Sequence, residues 1–212
     1  MPNFPIIDTH LHVWDQTRLK YSAFDGHKLF GHPYHVEDYQ RDCGKLEIEA
    51  MVFLECYADF WEGGGQYIEE IEFVEDEKKR DPRIKAIIPM APVEWGKKVD
   101  SVLSIMKERH PLVHGIRRIM EFDKDPRALT LSAAFIEGVN CLEKFGYSFD
   151  INPNYTQMDI IREFVPKISS NVPLILDHCG KPGIAQGALS QFRDDLRDLA
   201  RYKNMWVKLS DL

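Results

Sequence analysis

Two histidines separated by one residue stand near the start of the chain, in the run Ile-Asp-Thr-His-Leu-His-Val-Trp at residues 7–14. This apolar run predicts a β-strand, in which residues two apart share a face. Asp8, His10 and His12 therefore point the same way, with neighbouring Cα atoms on that face roughly 7 Å apart. Two such imidazoles can converge on one metal ion or one polar substrate atom, because imidazole is the commonest metal ligand and the usual proton carrier near neutral pH.

A short His-x-His pair also has a simpler explanation, in which both histidines hydrogen-bond to neighbours at the end of a strand and do no chemistry. The surrounding residues favour the functional explanation. The pair lies in an apolar strand near the N-terminus, with Asp8 before it and the aromatic Trp14 after it.

Further polar residues stand where later strands are predicted to end. They are Glu55, the neighbours Arg117 and Arg118, Asp150 with Asn152, and His178. We expect Glu55 and Asn152 to bind substrate, although Glu55 is equally well explained as a solvated carboxylate at the edge of a loop. Because adjacent strand residues alternate in direction, only one arginine can enter a shared site, and we select Arg117. The same alternation predicts that Asp177 and Cys179 point away from His178.

The elements that must position these residues form a repeating pattern of strand and helix. Strands are predicted to start near residues 6, 50, 84, 113, 147, 173 and 205, and helices are predicted over about 36–44, 66–80, 99–109, 128–145, 158–168 and 189–202. A unit of roughly 30 residues is the length of a strand plus a crossover helix. The alternation indicates parallel strands with helices outside.

The predicted fold class is therefore α/β, of the (β/α)8 TIM-barrel type. Consecutive units wound in one sense bring the last strand back towards the first, and the polar residues follow many different strands, as a barrel site requires. A doubly wound open sheet is the alternative. Against it, no glycine-rich phosphate-binding turn follows the first strand.

Composition narrows the class of protein. A chain of 212 residues that is 44% hydrophobic suits a single folded domain over residues 1–212. A net charge of −7, with no basic block interleaved with aromatics, argues against a nucleic acid or an anionic membrane as partner and leaves a small-molecule substrate. Four cysteines without a CxxC pair fit a reducing compartment, and with no signal peptide or membrane span in the sequence we expect a cytoplasmic protein.

Four motifs together resemble those of the amidohydrolase superfamily. They are the run at 7–14, Gly-Ile-Arg at 115–117, Leu-Ile-Leu-Asp-His-Cys-Gly-Lys-Pro at 174–182 and Trp-Val-Lys-Leu-Ser at 206–210. The similarity extends over the length of the chain. The nearest branch is that of the amidohydrolase-related, predicted metal-dependent hydrolases, which includes sugar-acid lactonases and a pyrone-dicarboxylate lactonase.

The resemblance implies a (β/α)8 barrel whose site is lined by His10, His12 and His178, with Arg117 holding substrate oxygens. It implies hydrolysis of a cyclic ester, with His178 and Arg117 catalytic. If the protein binds a divalent metal, the resemblance implies zinc before other ions, with His10, His12 and His178 as ligands. The alternative that the family offers is a site without metal. Related decarboxylases use a similar metal cluster, but their extra histidine on the fifth strand is not evident at 149–152, which favours the lactonase branch.

The sequence departs from the family at its C-terminal end. The family's base, or last metal ligand, is an aspartate at the end of an eighth strand, whereas residue 212 falls on or just after the seventh predicted strand. Asp211 stands where the family tends to have glycine. We therefore expect an incomplete barrel that is a truncated form of a longer enzyme, or one whose open edge is covered by a second copy. A catalytically inactive barrel that only binds small anions is a further alternative.

Overall fold

The computed structural model describes residues 4–61 and 64–210. These residues form two compact units. Unit 1 comprises the described residues up to Met90 together with His110–Val113, and unit 2 comprises Ala91–Arg109 and the described residues from His114 onward. The prediction of a single domain stays a prediction, and position 211 lies outside the described residues.

Unit 1 is built on a parallel sheet of three strands in the order β1-β2-β5. Its strands and helices are β1 (Ile6–Leu11), α1 (Val36–Cys43), β2 (Ile48–Leu54), the short antiparallel pair β3 (Phe60–Trp61) and β4 (Gly64–Gly65), α2 (Tyr67–Arg80) and β5 (Ile84–Ile88). The apolar run of β2 buries Met51, Phe53 and Leu54, because α2 covers the sheet with its own apolar side.

Unit 2 is built on a parallel sheet of four strands in the order β6-β7-β8-β9. Its strands and helices are α3 (Val99–Arg109), β6 (Gly115–Arg117), α4 (Pro126–Thr130), α5 (Ala133–Phe145), β7 (Ser148–Ile151), α6 (Met158–Phe164), β8 (Leu174–Leu176), α7 (Leu189–Leu199) and β9 (Met205–Val207). The Phe149 ring of β7 packs against Phe135 of α5 and Phe164 of α6, with centroids 6.0 and 6.2 Å away. Asp150 is therefore on the face of the sheet that points away from these helices.

The predicted strands are all present and parallel, but several elements end earlier than expected. The segment predicted as a strand over 174–178 leaves the sheet after Leu176. The helix predicted over 128–145 is two helices, because Ser132 interrupts it and caps α5 by accepting a hydrogen bond from the Phe135 amide at 3.1 Å. Gly146 ends α5 in the left-handed region. None of the helices within the described residues has the length and apolar character needed to cross a membrane.

Candidate active site

Four charged side chains meet at the carboxyl ends of β6 to β9 and form what we call the charge cluster, Arg117, Asp150, Asp177 and Lys208. Arg117 donates from a terminal guanidinium nitrogen to Asp177 Oδ2 at 3.1 Å. The Lys208 Nζ lies 3.0 Å from Asp177 Oδ1 and 2.5 Å from Asp150 Oδ2. The first three side chains are at most 1% exposed, and that of Lys208 is 10% exposed. Charges of alternating sign thus run in an unbroken chain through the interior of unit 2.

The sheet itself brings these residues together. Arg117 ends β6 and is the register partner of Asp150 on β7, so both side chains project from the same face. Asp177 directly follows β8, and Lys208 directly follows β9. The Lys208 amide donates to the Leu176 carbonyl at 3.0 Å, which continues the parallel ladder one step beyond the strand. Parallel strands place all four residues at one end of the sheet.

Among the buried oxygen atoms at this end of the sheet, two on β7 and just beyond it have no hydrogen-bond donor within residues 4–61 and 64–210. They are Asp150 Oδ1 and Asn152 Oδ1. Burial raises the pKa of Asp150 to about 6, and the nearby Asp177 charge adds to the rise, while Lys208 and Arg117 oppose it. Asp150 is therefore a carboxyl group that exchanges its proton near neutral pH.

His178 lies in an unusual left-handed turn beside the charge cluster. The φ angles of His178, Cys179, Gly180 and Lys181 are 51°, 54°, 73° and 48°. The prediction that Asp177 points away from His178 is wrong, because the strand ends at Leu176 and the alternation no longer applies. A carboxylate oxygen of Asp177 and a ring nitrogen of His178 lie within 4.8 Å of each other. On its other side, His178 Nδ1 lies 3.0 Å from Ser210 Oγ.

The two neighbouring arginines separate as the alternation predicts, although both are buried. Arg117 enters the charge cluster. Arg118, 4% exposed, donates from Nε to Glu94 at 3.0 Å and from a terminal nitrogen to Asp123 at 3.1 Å. Arg118 therefore ties the loop after β6 to the segment that precedes α3.

The two histidines, His10 in β1 and His12 just after it, lie side by side in unit 1. Their ring centroids are 4.9 Å apart, with the planes at 81°. His12 Nδ1 lies 3.0 Å from the Leu54 carbonyl oxygen, and because a carbonyl only accepts, Nδ1 carries the hydrogen and Nε2 the lone pair. Asp8 Oδ1 accepts from the His10 amide at 2.9 Å and Asp8 Oδ2 from the Tyr39 hydroxyl at 2.7 Å. A backbone carbonyl that fixes the tautomer is typical of histidine metal ligands, so these residues fit a divalent ion.

Glu55 and Asn152 are both buried, at 4% and 3% exposure, so the explanation of Glu55 as a solvated carboxylate is wrong. Glu55 Oε2 accepts a hydrogen bond from the Tyr57 amide at 3.0 Å in unit 1, and Asn152 follows β7 in unit 2. Their expected roles in binding substrate stay predictions, as does the sharing of one ion by His10, His12 and His178.

Our sequence reasoning gave no role to Lys208, Ser210 or Asp177. Lys208 and Ser210 had a usable signal, because they stand at the end of the last predicted strand, and polar residues at strand ends were the criterion that selected the others. Asp177 had none, because its direction depends on where β8 ends.

Comparisons with known proteins place the chain in a family. The family model described as amidohydrolase matches residues 7–212. An L-fucono-1,5-lactonase from Burkholderia multivorans is 31% identical over 105 residues, which make up 47% of this chain and 35% of that relative. The match therefore covers about a third of the lactonase's length.

Solved structures share the fold. A zinc-bound amidohydrolase from Burkholderia multivorans gives a TM-score of 0.80 at 24% identity, over 97% of this chain and 69% of that one. A probable 2-pyrone-4,6-dicarboxylic acid hydrolase from Acinetobacter baumannii, with citric acid bound, gives 0.66 at 14% identity, over 96% and 69%. These likenesses confirm the predicted α/β fold class of the TIM-barrel type. The family match over nearly every residue then fixes the affiliation: the chain belongs to the amidohydrolase family.

Proposed function

We propose that this amidohydrolase opens the lactone of a sugar acid by attack of water, at the carboxyl end of the unit 2 sheet. The observation that carries the proposal is the buried charge cluster, in which Arg117 and Lys208 are held by Asp177 and Asp150 next to the His178 turn. The likeness to an L-fucono-1,5-lactonase supports the choice of reaction.

In this reaction water adds to the lactone carbonyl, the ring C–O bond breaks, and the leaving oxygen takes up a proton. We assign His178 as the base that accepts the proton of the attacking water, since imidazole titrates near neutral pH. Arg117 stabilises the negative charge that develops on the carbonyl oxygen. Asp177 holds the guanidinium in place through the 3.1 Å hydrogen bond.

His10 and His12 are the ligands that we propose for a divalent ion, with zinc first. When bound, such an ion acts as a Lewis acid and lowers the pKa of water. The zinc in the related Burkholderia structure supports this assignment. His178 is the predicted third ligand, and this role competes with its role as base. The zinc content of a His178→Gln variant separates the two, because a base can be removed without loss of zinc and a ligand cannot.

Charge balance favours a sugar-acid lactone over a dicarboxylate. Four buried or half-buried cations lie at the ends of the unit 2 strands or beyond them, and each has a carboxylate partner. Arg117 pairs with Asp177, Arg118 with Glu94 and Asp123, Lys181 with Glu121, and Lys208 with Asp150 and Asp177. A dicarboxylate requires cations that the protein has not already neutralised. The hydroxyl groups of a sugar can instead donate to Asp150 Oδ1 and Asn152 Oδ1, which are buried acceptors that receive no hydrogen bond from the described residues.

The test is a rate measurement on a panel of sugar-acid lactones and on 2-pyrone-4,6-dicarboxylate, with and without added Zn²⁺. We expect turnover of at least one sugar-acid lactone, and a kcat/KM lower by at least about 100-fold in Arg117→Met, since a charged group acting on the transition state is worth two to three orders of magnitude. The matched control is Arg127→Met, an exposed arginine of the same unit paired with Asp159 and Glu163, which leaves kcat/KM within about twofold.

Three outcomes contradict the proposal. Turnover of the dicarboxylate alone would overturn the charge-balance argument. Release of carbon dioxide from an aromatic acid, with no lactone opened, would support a decarboxylase. Thermal stabilisation by lactones without product formation would identify a binding protein that has lost its activity.

A further inference from the structure

The left-handed turn that carries His178 requires contacts from outside itself. Three of its four residues have a Cβ atom, and residues other than glycine avoid this region because the Cβ approaches the backbone. Within the turn, the Lys181 amide donates to the His178 carbonyl at 2.8 Å. One local hydrogen bond does not offset a left-handed conformation at three such residues, so neighbouring elements must hold it.

The chain that leaves β9 supplies these contacts. The Lys208 carbonyl accepts from the Cys179 amide at 3.0 Å. The Lys208 Nζ reaches Asp177 Oδ1, directly before the turn, at 3.0 Å. Ser210 Oγ lies 3.0 Å from His178 Nδ1. Two residues of this segment, Lys208 and Ser210, therefore contact three consecutive residues, the one directly before the turn and the first two within it.

The ammonium group of Lys208 fixes this segment to the sheet through ion pairs. It bridges Asp150 on β7 and Asp177 after β8, both fully buried. The segment is consequently fixed to two neighbouring strands. Because Ser210 belongs to this segment, its contact with Nδ1 also fixes the orientation of the His178 ring. Because Nδ1 faces Ser210, the ring turns Nε2 in the opposite direction.

We propose that residues 208–210 form a clamp that holds His178 in its working orientation, with Lys208 and Ser210 as positioning residues. The inference rests on the proposed role of His178 in the hydrolysis. Neither residue is assigned contact with substrate. Lys208 acts through Asp177 and through the backbone of the turn, and Ser210 acts through the imidazole.

The test uses two readouts that need no substrate. The first is hydrogen exchange of the Cys179 amide, divided by that of the Phe149 amide, which bonds to the Pro173 carbonyl in the sheet. The second is the Nδ1 resonance of His178 in a long-range proton–nitrogen spectrum, identified by its absence in His178→Gln. In Ser210→Ala we expect the exchange ratio to rise about tenfold, from the loss of one hydrogen bond, and the Nδ1 resonance to shift.

Lys208→Met should raise the exchange ratio by at least as much as Ser210→Ala does. Lys208→Arg should keep the ratio close to the wild-type value, because the positive charge is retained. Matched controls are Ser190→Ala and Lys203→Met, which are exposed in the same unit and leave both readouts unchanged. If Lys208→Met does not fold, Ser210→Ala and Lys208→Arg still decide the question.

An unchanged exchange ratio and an unchanged Nδ1 resonance in Ser210→Ala would overturn the clamp. An equal acceleration of the Cys179 and Phe149 amides in Lys208→Met would also overturn it, because this would show a general loss of stability. A working clamp without lactone turnover would instead contradict the proposed function alone.

Discussion

Two buried aspartates, one in each unit, differ in how completely their carboxylate oxygens are hydrogen-bonded. Asp81 of unit 1 is 2% exposed, and both its oxygens accept hydrogen bonds. Oδ1 accepts from the Arg83 backbone and Nε at 3.0 and 2.9 Å, and Oδ2 from Gln40 at 2.8 Å and from Arg83 at 2.5 Å. Asp150 of unit 2 is 0% exposed, and only its Oδ2 is bonded, to Lys208.

The pKa values follow this difference. The hydrogen bonds from Arg83 lower the pKa of Asp81 to about 2, whereas burial raises that of Asp150 to about 6. A carboxylate whose lone pairs are all occupied is a structural element. A carboxyl group that is equally buried but incompletely bonded is kept in a state in which it can exchange a proton or bind a hydroxyl group. This contrast distinguishes an aspartate with a structural role from one that belongs to the candidate site.

The largest effect is expected when the cationic partner of each aspartate is removed by substitution. Lys208→Met leaves Asp150 and Asp177 buried with less compensation, so we expect a loss of about 3–5 kcal/mol in the free energy of unfolding at pH 7.5. The loss should be smaller at pH 5, where Asp150 binds a proton. Arg83→Met should lower it by only about 1 kcal/mol, because Asp81 keeps Gln40 and the Arg83 amide and the Arg83 side chain is 31% exposed.

Urea denaturation of the two variants gives these values. Equal losses at both sites and both pH values would show that the two aspartates do not differ.

The second test follows stability against pH. Asp150 has a raised pKa in the folded state, so it stabilises the fold at low pH. Its contribution to the free energy of unfolding is complete below about pH 4, near its unfolded pKa of about 3.9. This contribution is lost as the pH rises through about 6. Asp81 has a lowered pKa, so its contribution is present above pH 4 and is lost as the pH falls through about 2. We expect Asp150→Asn to remove a fall of about 2 kcal/mol between pH 4 and 6, and Asp81→Asn to remove a loss of about 1–2 kcal/mol below pH 4.

Denaturation midpoints of the wild type and the two variants at five pH values between 2 and 7 provide the measurement. Profiles in which both substitutions change the same pH range would contradict the assignment of the two pKa shifts.

The smallest effect concerns ion pairs on the surface. Arg127 is 45% exposed and pairs with Asp159 and Glu163. Arg127→Met should change the free energy of unfolding by no more than about 0.5 kcal/mol, since exposed ion pairs are screened by solvent. The same denaturation experiment measures this, and a loss comparable to that of Lys208→Met would mean that burial is not what distinguishes the charge cluster.

Most of the fold could be predicted from the sequence because its signals are local. The apolar runs of β2 and β8 and the apolar side of α2 follow the periods of strand and helix, so their order and parallel arrangement were accessible. The division between α4 and α5 was missed, because the cap at Ser132 interrupts a pattern that is otherwise continuous.

The candidate site could be predicted from the sequence only in part, because some of its residues lie beyond the ends of the strands. Arg117 was found because it lies within a strand, where direction alternates. Asp177 and His178 lie one and two residues beyond β8, in a turn whose left-handed angles no strand rule predicts. The chain of charges from Arg117 to Asp150 joins four strands, and the ion pairs follow from the three-dimensional register.

The account is tested most directly by the pH dependence of kcat/KM for hydrolysis of a sugar-acid lactone, compared between wild type, Asp150→Asn and Asp81→Asn. We predict that Asp150→Asn has a lower kcat/KM than the wild type and loses the change in rate near pH 6 that Asp150 contributes, whereas the dependence on the base His178 remains. Asp81→Asn should leave the whole profile unchanged. A profile and a rate in Asp150→Asn that both equal those of the wild type would contradict a role for the charge cluster in catalysis.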